Sequence, residues 1–229
     1  MNQVFVETAA AGRVHRLAER EVVALEPTTC RVLAGQTVAL LGPSGSGKST
    51  LLHLLGGLDA PSSGAVTFPA LGDASTLRPG KVAFIFQSQS LLPSLTALEN
   101  AALPLVLGGL EEREAQERAR LALERLGMGG ALLHQLPEEL SGGQAQRVAV
   151  ARAIATRPRL ILADEPTGQL DSASAKAVIE ALLEATRSGE TALVIATHDE
   201  AVAARLQTTW RMRHGHLEPP NTLRTAVVA

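Results

Sequence analysis

The sequence has little of what marks several large classes of protein. Its only cysteine is Cys30, so no disulfide can form within the chain, and this favours a reducing compartment. No run of about 18 apolar residues occurs, so no membrane-spanning helix is expected. Residues 1–16 lack a continuous apolar core, so we expect no signal peptide. The formal net charge is only −2, which argues against a broad surface for nucleic acid.

Apolar residues are plentiful by contrast. They make up 45% of the 229 residues, enough to build a core without metals or disulfides. Residues 1–86 contain short apolar runs between turn formers and a single helix, which predicts a partly antiparallel sheet beside a nucleotide-binding core. Residues 159–218 alternate strand and helix patterns, and their continuous apolar strands are typical of a parallel sheet buried on both faces.

The stretch between these two regions, residues 87–158, has the patterns of helices. A short helix from residue 96 is expected to stop near Pro104. A second helix over residues 111–126 carries charge on most positions and one narrow apolar stripe, which predicts a surface helix. Residues 219–229 show no pattern and are expected to be loose.

The most informative stretch is the sequence GPSGSGKST, which follows an apolar strand pattern and precedes an apolar helix pattern. Its glycines allow successive backbone N–H groups to turn inward around a triphosphate, and the helix start adds the positive end of its dipole. A lysine then reaches the β- and γ-phosphates, and the next hydroxyl ligates Mg²⁺. A plain glycine turn is the alternative, but the flanking strand and helix favour a nucleotide site. The site comprises Gly42, Pro43, Ser44, Gly45, Ser46, Gly47, Lys48, Ser49 and Thr50.

Two adjacent carboxylates, Asp164 and Glu165, follow the apolar strand over residues 160–163. Neighbouring residues at a strand end face opposite ways, so the two groups can take separate tasks. Asp164 suits a Mg²⁺ ion, and Glu165 suits the water that attacks the γ-phosphate. An acidic turn is the alternative, and the phosphate-binding loop of residues 42–50 (the P-loop) makes it less favoured.

The sequence LSGGQ at residues 140–144 is the other decisive feature. One interpretation is a capping box, in which Ser141 caps the start of a helix and the side chain of Gln144 bonds back to the N–H of Ser141. That leaves Gly142 and Gly143 unexplained, since glycine costs about 1 kcal/mol relative to alanine within a helix. A helix start with bare N–H groups is a phosphate site. The two phosphate-binding surfaces can meet on one nucleotide if two chains pack head to tail.

These motifs, in this order, resemble the nucleotide-binding domain of ABC transporters over nearly the whole chain. GPSGSGKST resembles Walker A, LILADEP resembles Walker B, and LSGGQ followed by AQR resembles the signature. Gln87 in FIFQ matches the Q-loop glutamine, residues 169–171 the D-loop, and His198 the switch histidine. Within the family, LLHLLGGLDAPSSG and LLPSLTALENAALPL are most similar to the lipoprotein-releasing and macrolide-export ATPases (the LolD/MacB group), with the cell-division ATPase FtsE a near relative.

The resemblance implies a single ABC ATPase domain of the α/β P-loop type, with ATP and Mg²⁺ as cofactors. Residues 1–86 and 159–218 would form the core with its β region, and residues 87–158 the helical subdomain. Lys48 and the loop amides would hold phosphates, and Ser49, Gln87 and Asp164 would hold the metal. Glu165 would be the general base.

The resemblance also implies contacts between chains. His198 would touch the γ-phosphate on its own chain. Ser141 with its glycines and Gln144 would close over the nucleotide of the partner chain, and Asp171 would cross the same interface. The family commonly stacks a tyrosine on adenine, but this chain has no tyrosine. His15 occupies the aligned position, where it either stacks on the base or is an ordinary surface residue.

The resulting expectation is an ATPase that works as a head-to-tail homodimer with a membrane permease subunit and binds no nucleic acid. The permease would contact the Q-loop and the helical region over residues 91–107. The chain would lie in the cytoplasm, peripheral on the inner face of the cell membrane, and serve export or lipoprotein extraction. A regulatory ATPase of the FtsE type is the alternative.

Overall fold

Nine strands form two β-sheets in the computed structural model, which describes residues 3–17, 20–88 and 90–218. The smaller sheet consists of β1 (Val4–Leu17), β2 (Arg20–Leu33) and β4 (Ser63–Thr67). The larger sheet consists of β3 (Thr37–Leu41), β5 (Val82–Ile85), β6 (Leu160–Asp164), β7 (Ala192–Thr197), β8 (Thr208–Arg213) and β9 (His216–Glu218). The smaller sheet is antiparallel in the order β2-β1-β4, as the sequence predicts for the N-terminal region.

The larger sheet has the order β5-β6-β7-β3-β8-β9, and every pair is parallel except β8 with β9. The mostly parallel core therefore matches the predicted fold class. Parallel strands present their carboxyl ends at one edge, so the ends of β3, β5, β6 and β7 lie side by side. The residues that follow these strands are the ones that the motifs single out.

Six α-helices in the described part of the chain cover the sheets or connect them. They are α1 (Lys48–Leu55), α2 (Ala97–Leu107), α3 (Glu112–Arg125), α4 (Gly142–Ala155), α5 (Ser172–Ala185) and α6 (Glu200–Ala203). Within these residues, none of the helices combines the length and apolar character that crossing a bilayer requires.

The parallel sheet separates two hydrophobic layers. Leu162 and Val194 pack with α1 and the antiparallel sheet, whereas Ile161 and Ile195 pack with the helices α2 to α5. Alternate residues of a strand point to opposite faces, so both sets must be apolar. This explains the uninterrupted apolar runs of β6 and β7 and confirms that they are buried on both sides.

The helical region differs from the sequence prediction at Pro104. The helix α2 begins with a capping box between Thr96 and Glu99, but it continues through Pro104 to Leu107 instead of stopping there. Proline removes its own N–H from the helix, and its ring crowds the carbonyl group four residues earlier, so other contacts must offset this cost. Burial of Ala101 and Leu105 on either side of it keeps the helix in place.

The helix α3 agrees with the expected surface helix. Ala115, Ala119 and Ala122 form its buried stripe, and Arg120 pairs on the outer face with Glu117 and Glu124. The division of the chain at residues 86 and 158 stays a prediction. Residues 219–229, expected to be loose, lie outside the described residues.

Candidate nucleotide-binding site

The P-loop connects β3 to α1 at the carboxyl edge of the parallel sheet. Gly47 precedes the helix with φ 99°, a left-handed conformation that favours glycine. At Gly42 the constraint is space, because an added Cβ would lie 2.3 Å from the backbone oxygen of Met212 in β8. The loop is further held by a hydrogen bond from the Gly215 N–H to the Ser46 carbonyl oxygen, 3.0 Å long. The neighbouring hairpin β8–β9 thus fixes its shape.

Lys48 is almost fully buried within this loop. Its Nζ donates to the carbonyl oxygens of Gly42 (2.8 Å) and Pro43 (3.0 Å) and lies 3.8 Å from Oε1 of Glu165. These partners keep the ammonium group at the mouth of the loop. A phosphate would offer the same group a stronger, charge-assisted hydrogen bond.

Asp164 ends β6 and is buried beside the P-loop helix. Burial raises the pKa of its carboxyl group, and a hydrogen bond with Ser49 acts in the opposite direction. Its Oδ1 has no hydrogen-bond partner among the described residues. A buried, unpartnered carboxylate oxygen next to a serine hydroxyl is a fitting pair of oxygen ligands for a divalent cation such as Mg²⁺.

Glu165 and His198 meet directly, a contact that the sequence motifs do not reveal. The Nδ1 atom of His198 lies 3.0 Å from Oε1 and 3.1 Å from Oε2 of Glu165. Glu165 has φ 46°, an uncommon conformation for a residue with a side chain, and its N–H donates to the Ala196 carbonyl oxygen at 2.9 Å. The turn after β6 is therefore tied to β7, the strand that leads to His198.

Two further predicted residues lie at the periphery of this edge. Gln87 follows β5, whose last residue Ile85 is paired with Ala163 of β6, so it leaves the sheet beside the strand that carries Asp164. Its side chain is exposed. His15 is also exposed, and it pairs with Val22 across β1 and β2. Val22 is two residues before Ala24, whose carbonyl oxygen lies next to Gly47 of the P-loop.

The signature sequence lies at the start of α4. Ser141 caps the helix, because its Oγ accepts from the Gln144 N–H (3.2 Å) while its own N–H donates to Oε1 of Gln144 (2.7 Å). The predicted capping box is confirmed. At Gly143 the structure adds a reason from within the chain, because a Cβ would lie 3.1 Å from Cδ2 of Leu170.

Asp171 caps the neighbouring helix α5. Its carboxylate accepts from the N–H groups of Ala173 and Ser174 and from the Ser174 hydroxyl, and these bonds lower its pKa. Among the described residues, no hydrogen bond joins the P-loop to the Ser141 end of α4. One chain thus brings Lys48, Asp164, Glu165 and His198 together, and no hydrogen bond in the described residues links the start of α4 to this group.

The buried charge of Asp164 affects the stability of the fold in a way that can be tested. At neutral pH, Asp164→Asn is expected to raise the free energy of unfolding of the nucleotide-free protein by about 1 kcal/mol, because it removes a poorly compensated buried charge. A carboxyl group whose pKa is higher in the folded chain destabilises the fold once ionised. The difference should therefore disappear as the pH falls and Asp164 becomes protonated.

Denaturant titration at neutral and mildly acidic pH measures this difference, with the exposed Asp73→Asn as the matched control. Asp164→Asn should also lose any extra stabilisation that Mg²⁺ gives to the nucleotide-bound protein. A variant less stable than the parent at neutral pH would show that the Asp164 charge is well compensated.

Comparison with known proteins agrees with this geometry. The family model described as "ABC transporter" matches residues 25–168. The chain is 41% identical to the lipoprotein-releasing system ATP-binding protein LolD of Legionella pneumophila (strain Paris), covering 95% of this chain and 98% of that protein. It is 45% identical to LolD 2 of Caulobacter vibrioides, covering 90% and 93%.

Solved structures are similar as well. A dimeric post-hydrolysis state of the ATP-binding cassette MJ0796 bound to ADP and Pi has a TM-score of 0.88 at 34% identity, covering 96% of this chain and 99% of that one. A second dimeric structure of MJ0796, described as a bacterial ABC transporter cassette, has the same TM-score at 35% identity.

Proposed function

The chain belongs to the ABC transporter family, and we propose that two copies bind two MgATP molecules head to tail and hydrolyse them to drive a membrane-spanning partner. ATP hydrolysis is the activity that family membership gives this chain. One observation carries the proposed geometry. Four groups of the site, Lys48, Asp164, Glu165 and His198, meet at one edge of the sheet, whereas the helix start at Ser141 forms no hydrogen bond with them in the described chain.

The site residues divide the work of phosphoryl transfer. Lys48 exchanges its carbonyl partners for the β- and γ-phosphates, and the amides of the P-loop surround the same oxygens. Glu165 accepts the proton of the attacking water, and His198, oriented by its hydrogen bond to Glu165, contacts the γ-phosphate. Ser49, Asp164 and Gln87 would hold Mg²⁺, which neutralises charge on the phosphates when bound.

The second half of each site comes from the other copy. Ser141, Gly142 and Gly143 present a helix start to the γ-phosphate bound by the partner chain, with Gln144 holding the cap, and Asp171 lies at the same interface. The dimeric structures of the MJ0796 cassette support the dimer on which this arrangement depends. His15, which lies on β1, would contact the base of the nucleotide.

Lipoprotein release is the process that the relatives favour. The curated relatives reported above are named as ATP-binding proteins of a lipoprotein-releasing system, which favours this role over an FtsE-like regulatory one. The permease would dock near Gln87 and residues 91–107, where Leu92 and Leu107 are exposed. The chain would then lie at the inner face of the cell membrane through that partner.

Reconstitution tests this proposal. The tagged chain, expressed in its native cell and purified in detergent, should carry a stoichiometric membrane-spanning protein. Vesicles that contain this complex and a lipid-anchored protein should release the latter on addition of MgATP, and a complex with Glu165→Gln should not. Purification of the chain without any membrane protein, or a complex that regulates without releasing, would contradict the proposed process.

A further inference from the structure

Arg152 links the signature helix to the segment that follows Gln87. Arg152 lies in the last turn of α4, at the end opposite Ser141. Its Nη1 donates to the carbonyl oxygen of Ser90 (2.9 Å), and its Nη2 donates to the Oγ of the same residue (2.5 Å). The guanidinium group thus donates hydrogen bonds to both the backbone and the side chain of Ser90, which lies three positions after Gln87.

Arg152 is a partly buried cation whose hydrogen-bond partners are uncharged. Within the described residues, no carboxylate lies within salt-bridge distance of Arg152. Burial lowers the pKa of its guanidinium group. Burying a charge without an opposite charge is costly, so its hydrogen bonds to Ser90 are the compensation that the structure shows. The planar fork of arginine can hold two acceptors at once, which the single ammonium group of lysine cannot do in the same geometry.

The chain beyond Ser90 is held by the helices too. Asn100 in α2 is fully buried, and its Nδ2 donates to the carbonyl oxygens of Leu92, Leu95 and Thr96. Its Oδ1 accepts from the Leu92 N–H at 2.8 Å. Hydrogen bonds therefore hold residues 90–96 to α2 and α4, whereas Gln87 lies two residues after the end of the core strand β5. Among the described residues after Gln87, Ser90 is the first that is held by such a hydrogen bond.

We propose that Arg152 is a positioning residue that makes Gln87 respond to the state of the signature. The inference rests on the proposed head-to-tail site. A helix of this length is a stiff rod of about 21 Å, with Ser141 at one end and Arg152 near the other. When the partner's nucleotide docks at Ser141, the helix shifts as a unit, and the Arg152–Ser90 contact passes that shift to the segment that begins beside Gln87. The bistable element is the position of α4 relative to the core.

Hydrogen exchange tests this coupling directly. In a Glu165→Gln background, which retains ATP, MgATP should slow amide exchange both at residues 141–145 and at residues 90–96. Adding Arg152→Lys should preserve the slowing at residues 141–145 and abolish it at residues 90–96. Ser90→Ala, which removes only the Oγ acceptor, should weaken the response at residues 90–96 without abolishing it.

Arg159→Lys is the matched control. Arg159 makes the same kind of contact, with Nη1 donating to the Ala70 carbonyl oxygen and Nη2 to Oε1 of Gln3, but it lies in the core before β6. This variant should keep both responses. In the Glu165-intact chain, Arg152→Lys should lower kcat about 10-fold with KM nearly unchanged, because a misplaced catalytic group slows chemistry more than binding.

The outcomes separate the two proposals. If MgATP leaves residues 141–145 unchanged even in the Glu165→Gln parent, the head-to-tail site itself is wrong. If those residues respond but Arg152→Lys keeps the response at residues 90–96, only the role of Arg152 is wrong. In the Glu165-intact chain, the double variant of Arg152→Lys and Ser90→Ala should have the same kcat as Arg152→Lys alone. Additive losses of kcat would also contradict a shared contact.

Discussion

Glu165→Gln is expected to reduce ATP turnover by at least about 100-fold, the lower end of what a general base contributes. The amide has nearly the same shape as the carboxylate, so the fold and the turn after β6 should be retained. It cannot accept the proton of the attacking water. Steady-state phosphate release by the purified chain, alone or with its membrane partner, measures the loss.

The same substitution should tighten ATP binding. Glu165 lies 3.8 Å from the Lys48 ammonium group, and its negative charge also faces the region where the phosphates would bind. Removing that charge removes a repulsion, so ATP should be retained in a stable dimer that is seen as a doubling of mass in solution. Glu180→Gln is the control, since Glu180 is exposed and paired with Arg205 on the outside of the protein. Full turnover by Glu165→Gln would remove Glu165 from the mechanism.

The parts of the fold that the sequence predicts well are those where a local pattern and the tertiary environment agree. The apolar runs of β6 and β7 reflect burial on both faces, and the stripe of α3 reflects a single buried face. Pro104 is different, because packing around α2 outweighs a local preference for a helix end. The length of β1 and β2 is also hidden, since these strands continue through exposed and polar residues that lack a clear pattern.

The candidate site shows the same division. The P-loop, the two carboxylates and the capping box each lie within a few adjacent residues, so their spacing is informative. The contact between Glu165 and His198 joins residues from two different strand ends, and the contact between Arg152 and Ser90 joins a helix to a loop. Such pairings depend on strand order and helix packing, which no short motif encodes.

Lys48→Ala and Ser141→Arg are each expected to reduce turnover by at least about 100-fold, for different reasons. Lys48→Ala removes the cation that holds the phosphates and should also abolish ATP binding. Ser141→Arg leaves the P-loop intact, so ATP should still bind to the single chain. Its long side chain at the start of α4 would keep the partner's phosphate from approaching. Ser188→Arg, at an exposed position remote from the site, is the control and should retain full turnover.

Mixing these two inactive variants tests the head-to-tail site most directly. A mixed dimer has one site in which the P-loop of the Ser141→Arg chain faces the intact signature of the Lys48→Ala chain, and its other site carries both defects. With random pairing, about a quarter of all sites are complete, so turnover should return to roughly a quarter of the unmodified value. A mixture as inactive as its two components would contradict a nucleotide site that is shared between chains.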